Sequence, residues 1–395
     1  MKHILFFIAF NCINSSLIFA QDAKFDSSSS DSALEAELTR MLLGDEDKQP
    51  KTESVFRAQS SAGRGGMNMN PNIGIISKFT ADALADGEFG QAIGEGKEGF
   101  TLHEVEFSYQ MVIDPYARAD IFMAVIPDEE AVELEEAFIT LLELPSALKA
   151  KIGIFRSKFG RLNLIHPPEV PFADYPLPLE MYFGGEGLVE TGISISYLVP
   201  NPWDLFWEST FEVTNGDNEI AFNGNATNDI AYTGHLTTFW DMGENATIEV
   251  GGSVASGKND NIGIRSTGIF GVDLTYKWKP LRRGLYRSFI WQSEFFLVSK
   301  DFGASENAKA TGFYSYLQWQ LGRRWFVLGR YDRAEQVGNA DKLEQKYISA
   351  LTFFPSAFQT IRLQSTTNSY SNGETSTLLS FQINFAIGAH GAHNY

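Results

Sequence analysis

The feature that most constrains this chain is a strict apolar–polar alternation, in segments of near ten residues, repeated from about Ile73 to Ile387. In Glu104–Ile113, Val105, Phe107, Tyr109, Met111 and Ile113 share one face, and Glu104, Glu106, Ser108 and Gln110 share the other. Strand side chains alternate faces, so one face is bulky and apolar while the other is charged. Strands of soluble sandwiches average about five to six residues, whereas a tilted strand needs roughly ten to cross a bilayer. The pattern predicts an all-β fold, a transmembrane antiparallel up-and-down β-barrel of about 16 strands in a bacterial outer membrane.

The ends divide the chain further. Lys2 and His3 precede two apolar runs, Ile4–Phe10 and Leu17–Ala20, which reads as a signal peptide over 1–20. Cys12, the only cysteine, lies inside it, so the mature chain has no thiol for a disulfide or a metal. Residues 21–68 read as a periplasmic Ser-rich linker carrying a short helix, Ser32–Leu43, in which Leu34, Leu38, Met41 and Leu42 share a face. The barrel is expected over 69–395. Thirty-five Gly, 32 Phe, 14 Tyr and 7 Trp suit such a barrel, and a net charge of −18 excludes nucleic acid as a natural partner.

Turn signals lay out the strands. Tight turns such as Asp114-Pro115-Tyr116, Asp241-Met242-Gly243-Glu244 and Gly322-Arg323 alternate with longer polar stretches, among them 80–99, 157–186, 335–342 and 367–375. Short turns alternating with long loops are what an up-and-down barrel requires. Trp203, Trp240, Trp278, Trp319 and Trp325 all fall beside short turns, as an interfacial aromatic girdle would. The last strand, 376–388, sends Leu379, Phe381, Ile383, Phe385 and Ile387 outward and Ser380, Gln382 and Asn384 inward.

The lumen of so wide a barrel is an open aqueous hole unless something fills it. The third long loop, 157–186, carries Leu162, Leu164, Ile165, Val170, Phe172, Tyr175 and Leu177 among Pro167, Pro168, Pro171, Pro176 and Pro178. A loop so apolar and stiff is expected to pack on the lumen wall, or, alternatively, to form a cap or a trimer contact outside. Glu169, Asp174 and Glu180 lie on it, with Arg156, Lys158 and Arg161 at its entry. By strand parity Arg118, Lys149, Lys151, Arg330 and Arg362 face the lumen. Together these charges form a candidate pore constriction with a transverse field, which selects small hydrophilic solutes. The other lumen charges are mainly acidic, including Glu104, Glu106, Asp120, Glu135, Asp204, Glu212 and Glu294, a set that favours cations.

Catalytic and metal signals are sparse. His103 and His235 sit on strands with no nucleophile motif beside them, and His166 stands alone in the long loop. His390 and His393 in the C-terminal tail form a candidate metal pair without a nearby third ligand. The chain therefore reads as a non-enzyme with no cofactor.

Several motifs carry a family resemblance: Asp114-Pro115-Tyr116-Ala117-Arg118-Ala119-Asp120, Glu135-Glu136-Ala137-Phe138, Lys151-Ile152-Gly153 with Lys158-Phe159-Gly160, His166-Pro167 with Pro171-Phe172, Phe183-Gly184-Gly185-Glu186-Gly187-Leu188, and the Gly388–Tyr395 tail. Through them the chain resembles a family of bacterial outer-membrane porin-like proteins, distantly similar to phosphate-selective porins. Members are often labelled zinc-regulated TonB-dependent outer-membrane receptors. The resemblance implies a barrel for solute passage. A TonB-dependent receptor surrounds a plug with about 22 strands, and a phosphate pore depends on a ladder of Arg and Lys; this lumen reads as smaller and more acidic. The expected function is passive diffusion of small hydrophilic solutes or ions, with lipid as surroundings and a homotrimer by analogy. The rivals are a substrate-specific receptor for a metal or metal chelate, and a structural or adhesive barrel.

Overall fold

The computed structural model describes residues 71–388, apart from 87–97, 128–129, 203–204, 219, 225–228, 261 and 304–306. The expected leader, the 21–68 segment with its helix, Trp203, Asp204, His390 and His393 lie outside the described residues. The strands are β1 (Asn72–Asp86), β2 (Gly99–Asp114), β3 (Ala117–Ile126), β4 (Ala131–Leu141), β5 (Leu148–Arg156), β6 (Val189–Leu198), β7 (Phe206–Thr214) and β8 (Ala231–Asp241). They continue as β9 (Ala246–Lys258), β10 (Ser266–Trp278), β11 (Phe289–Lys300), β12 (Ala308–Gly322), β13 (Trp325–Gln336), β14 (Asn339–Ser356), β15 (Gln359–Tyr370) and β16 (Thr375–Gly388). Each pairs antiparallel with its chain neighbours. β1 closes on β16, from Gly74 opposite Gly388 to Asp86 opposite Thr377. The result is a closed 16-stranded up-and-down barrel.

Alternation sets which face each residue takes. On β16, Phe381 is 40% exposed outward while Gln382 is 1% exposed inward, and Leu379, Phe385 and Ile387 follow the outward pattern. Aromatics gather at two levels. At the short-turn end Trp278 stacks on Trp319 at 5.9 Å, Phe206 on Phe239 at 4.7 Å, and Trp325 lies 4.6 Å from Phe353. Toward the long-loop end Phe211 meets Tyr232 and Tyr331 meets Tyr347.

The structure departs from simple alternation in three ways. The stretch 335–342 is a hairpin, not a long loop, because β13 runs to Gln336 and β14 begins at Asn339, with Gly338 at φ +87° in the turn. Two of the strand bulges lie on β2 and β4. Opposite β1, the pairing slips between Lys78–Glu104 and Phe79–Leu102, leaving His103 as the extra residue. Opposite β3, it slips between Phe122–Glu136 and Met123–Leu134, leaving Glu135 extra. A bulge sends two successive side chains to one face, and Glu135 and Glu136 are both buried inside the barrel. Finally, part of the inner wall is apolar: Ile269, Phe296, Val298, Ala310, Tyr314 and Ala334 occupy inward positions on β10–β13 and are buried.

Candidate functional site: a loop docked inside the barrel

What covers that apolar wall is the segment between β5 and β6. Its stem closes where the Ser157 amide donates to the Leu188 carbonyl at 2.8 Å. Asn163 clasps the same point, donating to Ser157 O and Leu188 O and accepting from the Leu188 amide. Short 3-10 turns follow at Leu162–Leu164 and Pro167–Glu169. His166 precedes Pro167 and is held extended, at φ −61° and ψ 144°, as a residue before proline must be. The one α-helix among the described residues, α1 (Leu177–Phe183), begins with Pro178 in its first turn and stops at Gly184, φ +98°. This helix was not anticipated from the sequence.

Phe159, Leu162, Phe172, Leu177, Leu179 and Phe183 of this loop are all buried. Phe159 stacks on Phe296 at 6.0 Å, and Phe172 meets Tyr316 edge-on at 5.6 Å. Burial of side chains this size contributes roughly 1.5–3 kcal/mol each. Two wall glycines make room. A Cβ at Gly271 would sit 2.6 Å from the Phe159 ring, and one at Gly312 would sit 2.5 Å from Tyr182.

Inward polar groups satisfy the loop backbone. Glu294 accepts from the amides of Arg161 and Leu162 at 3.0 and 2.8 Å, and also from the Tyr314 hydroxyl. Glu212 accepts from the Lys158 amide, Gln364 from Ala173, and Asp332 from Leu177. Asn384 donates to Pro168 O, and Arg362 to Val170 O. Ser253, which bonds His235 at 2.8 Å, accepts from the Gly160 amide. The histidine–serine pair thus holds the loop.

Charged side chains converge at two points. At the first, Arg330 donates to Asp174 O at 2.8 Å, pairs with Asp174 Oδ2 at 3.1 Å and with Asp332 Oδ2 at 2.9 Å, and lies 4.1 Å from the centre of the Phe172 ring. Lys346 joins, 3.3 Å from Asp174 and 3.0 Å from Glu180. Burial raises the Asp174 pKa, but Arg330 and Lys346 outweigh it and bring it from 3.8 down to about 2. For Glu180 burial dominates, and its pKa is raised.

At the second point, His166 reaches the bulge. Its Nδ1 lies 3.0 Å from Glu135 Oε2 and 3.5 Å from Glu106 Oε2, and its Nε2 lies 3.0 Å from Glu136 Oε1. Phe122 lies against the ring at 4.6 Å, tilted by 34°, and Arg156 Nε stands 3.5 Å from Glu136. Burial and Arg156 lower the His166 pKa; Glu106, Glu135 and Glu136 outweigh them and raise it to about 10.

The residues expected at a constriction therefore separate. Asp174, Glu180 and Arg330 come together, with Arg362 nearby on the same wall. Arg156 pairs with Glu136 and Glu186, Lys158 with Glu208, and Arg161 with Glu249. Arg118 pairs along its own strand with Asp120 at 3.0 Å, Lys151 lies over the Phe138 ring, Lys149 is exposed, and Glu169 closes the second 3-10 turn. Lys346, Asp332, Glu106, Glu136 and His166 were not among the expected site residues. The doublet Glu135-Glu136 breaks the alternation, and that phase slip is the signal that marks Glu136.

Two recesses flank the loop. One, of about 390 Å³, is lined by Lys158, Arg161, Phe206, Glu208, His235 and Glu249, toward the short-turn end. The other, of about 370 Å³, is lined by Lys78, Asp82, Glu104, Asp174, Glu186 and Tyr370, toward the long-loop end.

Two expectations follow from this packing. The folded pKa of Asp174 lies below its unfolded value, so its contribution is full above pH 3.8 and disappears as pH falls through about 2. Asp174→Asn should lower urea stability by roughly 2 kcal/mol near neutrality, and that deficit should shrink to a small fraction by about pH 2 and vanish below it; an equal deficit across this range would place the effect elsewhere. Gly312→Leu should force Tyr182 off the wall, at a cost of about 1–3 kcal/mol. Trypsin cleavage after Arg161 in the folded barrel should then speed up about tenfold, and unchanged cleavage would mean that the wall, not the loop, yields.

No family model matches the chain. An uncharacterized protein of Aquifex aeolicus (strain VF5) is 31% identical to it, over 81% of this chain and 76% of that protein. Among solved structures, an anion-selective porin from Comamonas acidovorans superposes with a TM-score of 0.56 at 10% identity, covering 80% of this chain and 99% of that one. The outer-membrane channel DcaP of Acinetobacter baumannii gives 0.54 at 11% identity, covering 80% and 97%. In-vitro folded OmpT of Vibrio cholerae, in its trimer form, gives 0.53 at 5% identity, covering 80% and 99%. These likenesses show the fold, a porin-like barrel; by sequence, the chain belongs to the family of the Aquifex aeolicus protein.

Proposed function

We propose that this protein is an outer-membrane channel through which small hydrophilic solutes or ions diffuse passively, its lumen constricted by the loop between β5 and β6. The observation that carries the reading is the docking of that loop inside the barrel, with an open recess toward each end. The exposed outer face is apolar, with aromatics at two levels, which suits a lipid-facing band. The porin fold of the solved neighbours supports the same reading, and a trimeric OmpT among them supports a homotrimer.

Within this reading several charges both hold the loop and face a recess: Asp174, Glu180 and Lys346 line the one toward the long-loop end, and Lys158 with Glu208 and Arg161 with Glu249 are ion pairs in the other. Asp174, Glu180, Arg330 and Lys346 are ion-paired and hold the loop in place. Lys78, Asp82, Glu104 and Glu186 in one recess, and Lys158, Arg161, Glu208 and Glu249 in the other, line the path a solute takes. Arg118, Lys149 and Lys151 extend it along β3 and β5. These mixed charges order water and disfavour apolar solutes.

Single-channel recording in planar bilayers tests the proposal. The refolded chain should give steady steps, and replacing 159–186 with a short Gly-Ser linker should enlarge them severalfold. The reversal potential in a KCl gradient reads the sign of selectivity. Absence of steps from a folded, heat-modifiable barrel, with the loop and without it, would overturn the channel reading in favour of a structural role. Membrane placement has its own check: Leu363, 54% exposed on the outer face of β15, replaced by Arg should cost about 2–4 kcal/mol in lipid vesicles if it sits near the midplane, and far less in detergent.

A further inference from the structure

The His166 cluster is more than a charged contact. Glu106 comes from β2, Glu135 from the bulge of β4, and His166 from the docked loop; all three are buried. One donor atom from each lies within 4.8 Å of the other two. His166 Nδ1 is 3.0 Å from Glu135 Oε2 and 3.5 Å from Glu106 Oε2. Donors bound to one metal ion at about 2.0–2.2 Å stand roughly 3.0–3.5 Å apart in octahedral or tetrahedral arrangement.

A second observation comes from Glu106. It is 1% exposed, and its Oε2 has no hydrogen-bond partner. A single proton on Nδ1 serves only one acceptor, and Glu135 is the nearer. A buried carboxylate oxygen left without a partner is costly, and a cation at the point shared with Nδ1 and Glu135 removes that cost. The other ring nitrogen is already fixed, since Nε2 faces Glu136 Oε1 at 3.0 Å and Glu136 is flanked by Arg156. A carboxylate behind the distal nitrogen is the usual support of a metal-binding histidine.

We propose that Glu106, Glu135 and His166 form a binding site for a first-row divalent transition-metal ion, with Glu136 positioning the imidazole through Nε2. One imidazole and two carboxylates suit zinc, manganese or ferrous iron; a hard all-oxygen cation or a thiolate-seeking one fits less well. Two carboxylates balance the charge of the ion, and the ion takes the place of the proton on Nδ1. The site joins the loop to two wall strands. The tail histidines, His390 and His393, lie outside the described residues and are no part of this proposal.

Zinc alone is the probe. The full-length barrel, refolded in detergent and checked for heat-modifiability, is titrated with zinc chloride by calorimetry and its metal content is measured after desalting. One zinc per chain is expected. Glu106→Gln and His166→Gln should each weaken binding more than tenfold, and Glu136→Gln by about tenfold. The double variant His390→Ala/His393→Ala should retain the site. Glu106→Gln is isosteric and keeps the barrel folded, so its loss of zinc is read on an intact molecule. No zinc bound to the folded wild type, binding unchanged in Glu106→Gln and His166→Gln, or binding abolished by the tail variant would each overturn the proposal. Because the readout is binding, its failure is distinct from a failure to conduct.

Discussion

The rest of the interior depends on one constraint: a loop carried into the middle of a barrel must have its backbone groups satisfied there. Buried N–H groups without partners are costly, and much of this loop is buried. The wall supplies acceptors where the loop presents amides. Glu294 takes two, Glu212 takes that of Lys158, Asp332 that of Leu177, and Gln364 that of Ala173. Several of the acids that read from the sequence as a ring lining a pore are thus acceptors for loop amides. The same side chain holds the loop and gives up part of its exposure to solute.

Packing and charge then act together on the loop. Phe159, Tyr182 and Phe183 lie on β10–β12, where Gly271 and Gly312 leave hollows and Phe296 fills the space between rings. The Pro-rich part, from His166 to Pro178, buries Val170, Phe172, Tyr175 and Leu177 against Tyr316, Leu328 and Ile348, and charge holds it as well. Desolvating an ion pair is expensive unless its geometry is good and its remaining atoms are bonded. Arg330 meets that condition, with contacts to Asp332, Asp174 and the Tyr175 carbonyl and a ring face beneath it.

Most of the barrel is legible in the sequence because one physical rule generates it: alternation with period two, interrupted by turn residues. That rule places Phe381 outside and Gln382 inside, sets Trp278, Trp319 and Trp325 at one rim, and gives a closed set of 16 strands. The rule is silent where the structure breaks it. Glu133, Glu135 and Glu136 cannot all follow one alternation, and the bulge that reconciles them is a property of the pairing with β3, not of β4 alone. Likewise Phe295-Phe296-Leu297-Val298 is apolar on both faces; Leu297 is exposed outward while Phe296 and Val298 are covered inside. A strand apolar on both sides inside an otherwise alternating barrel marks where something docks. His166 carried no local signal, since its partners lie on strands distant in sequence.

The two charged clusters also fix how the loop can move. His166 is tied to β2 and β4, and Asp174 with Glu180 to β13 and β14, strands six steps apart from β3 to β13 around the closed sheet. Between the ties, Pro167, Pro168, Pro171 and Pro176 restrict φ, so the segment resists bending. Releasing one cluster alone leaves the far end and the aromatic face of α1 in place. The division of the lumen into two recesses therefore rests on the His166 and Arg330 clusters together with the aromatic face of α1.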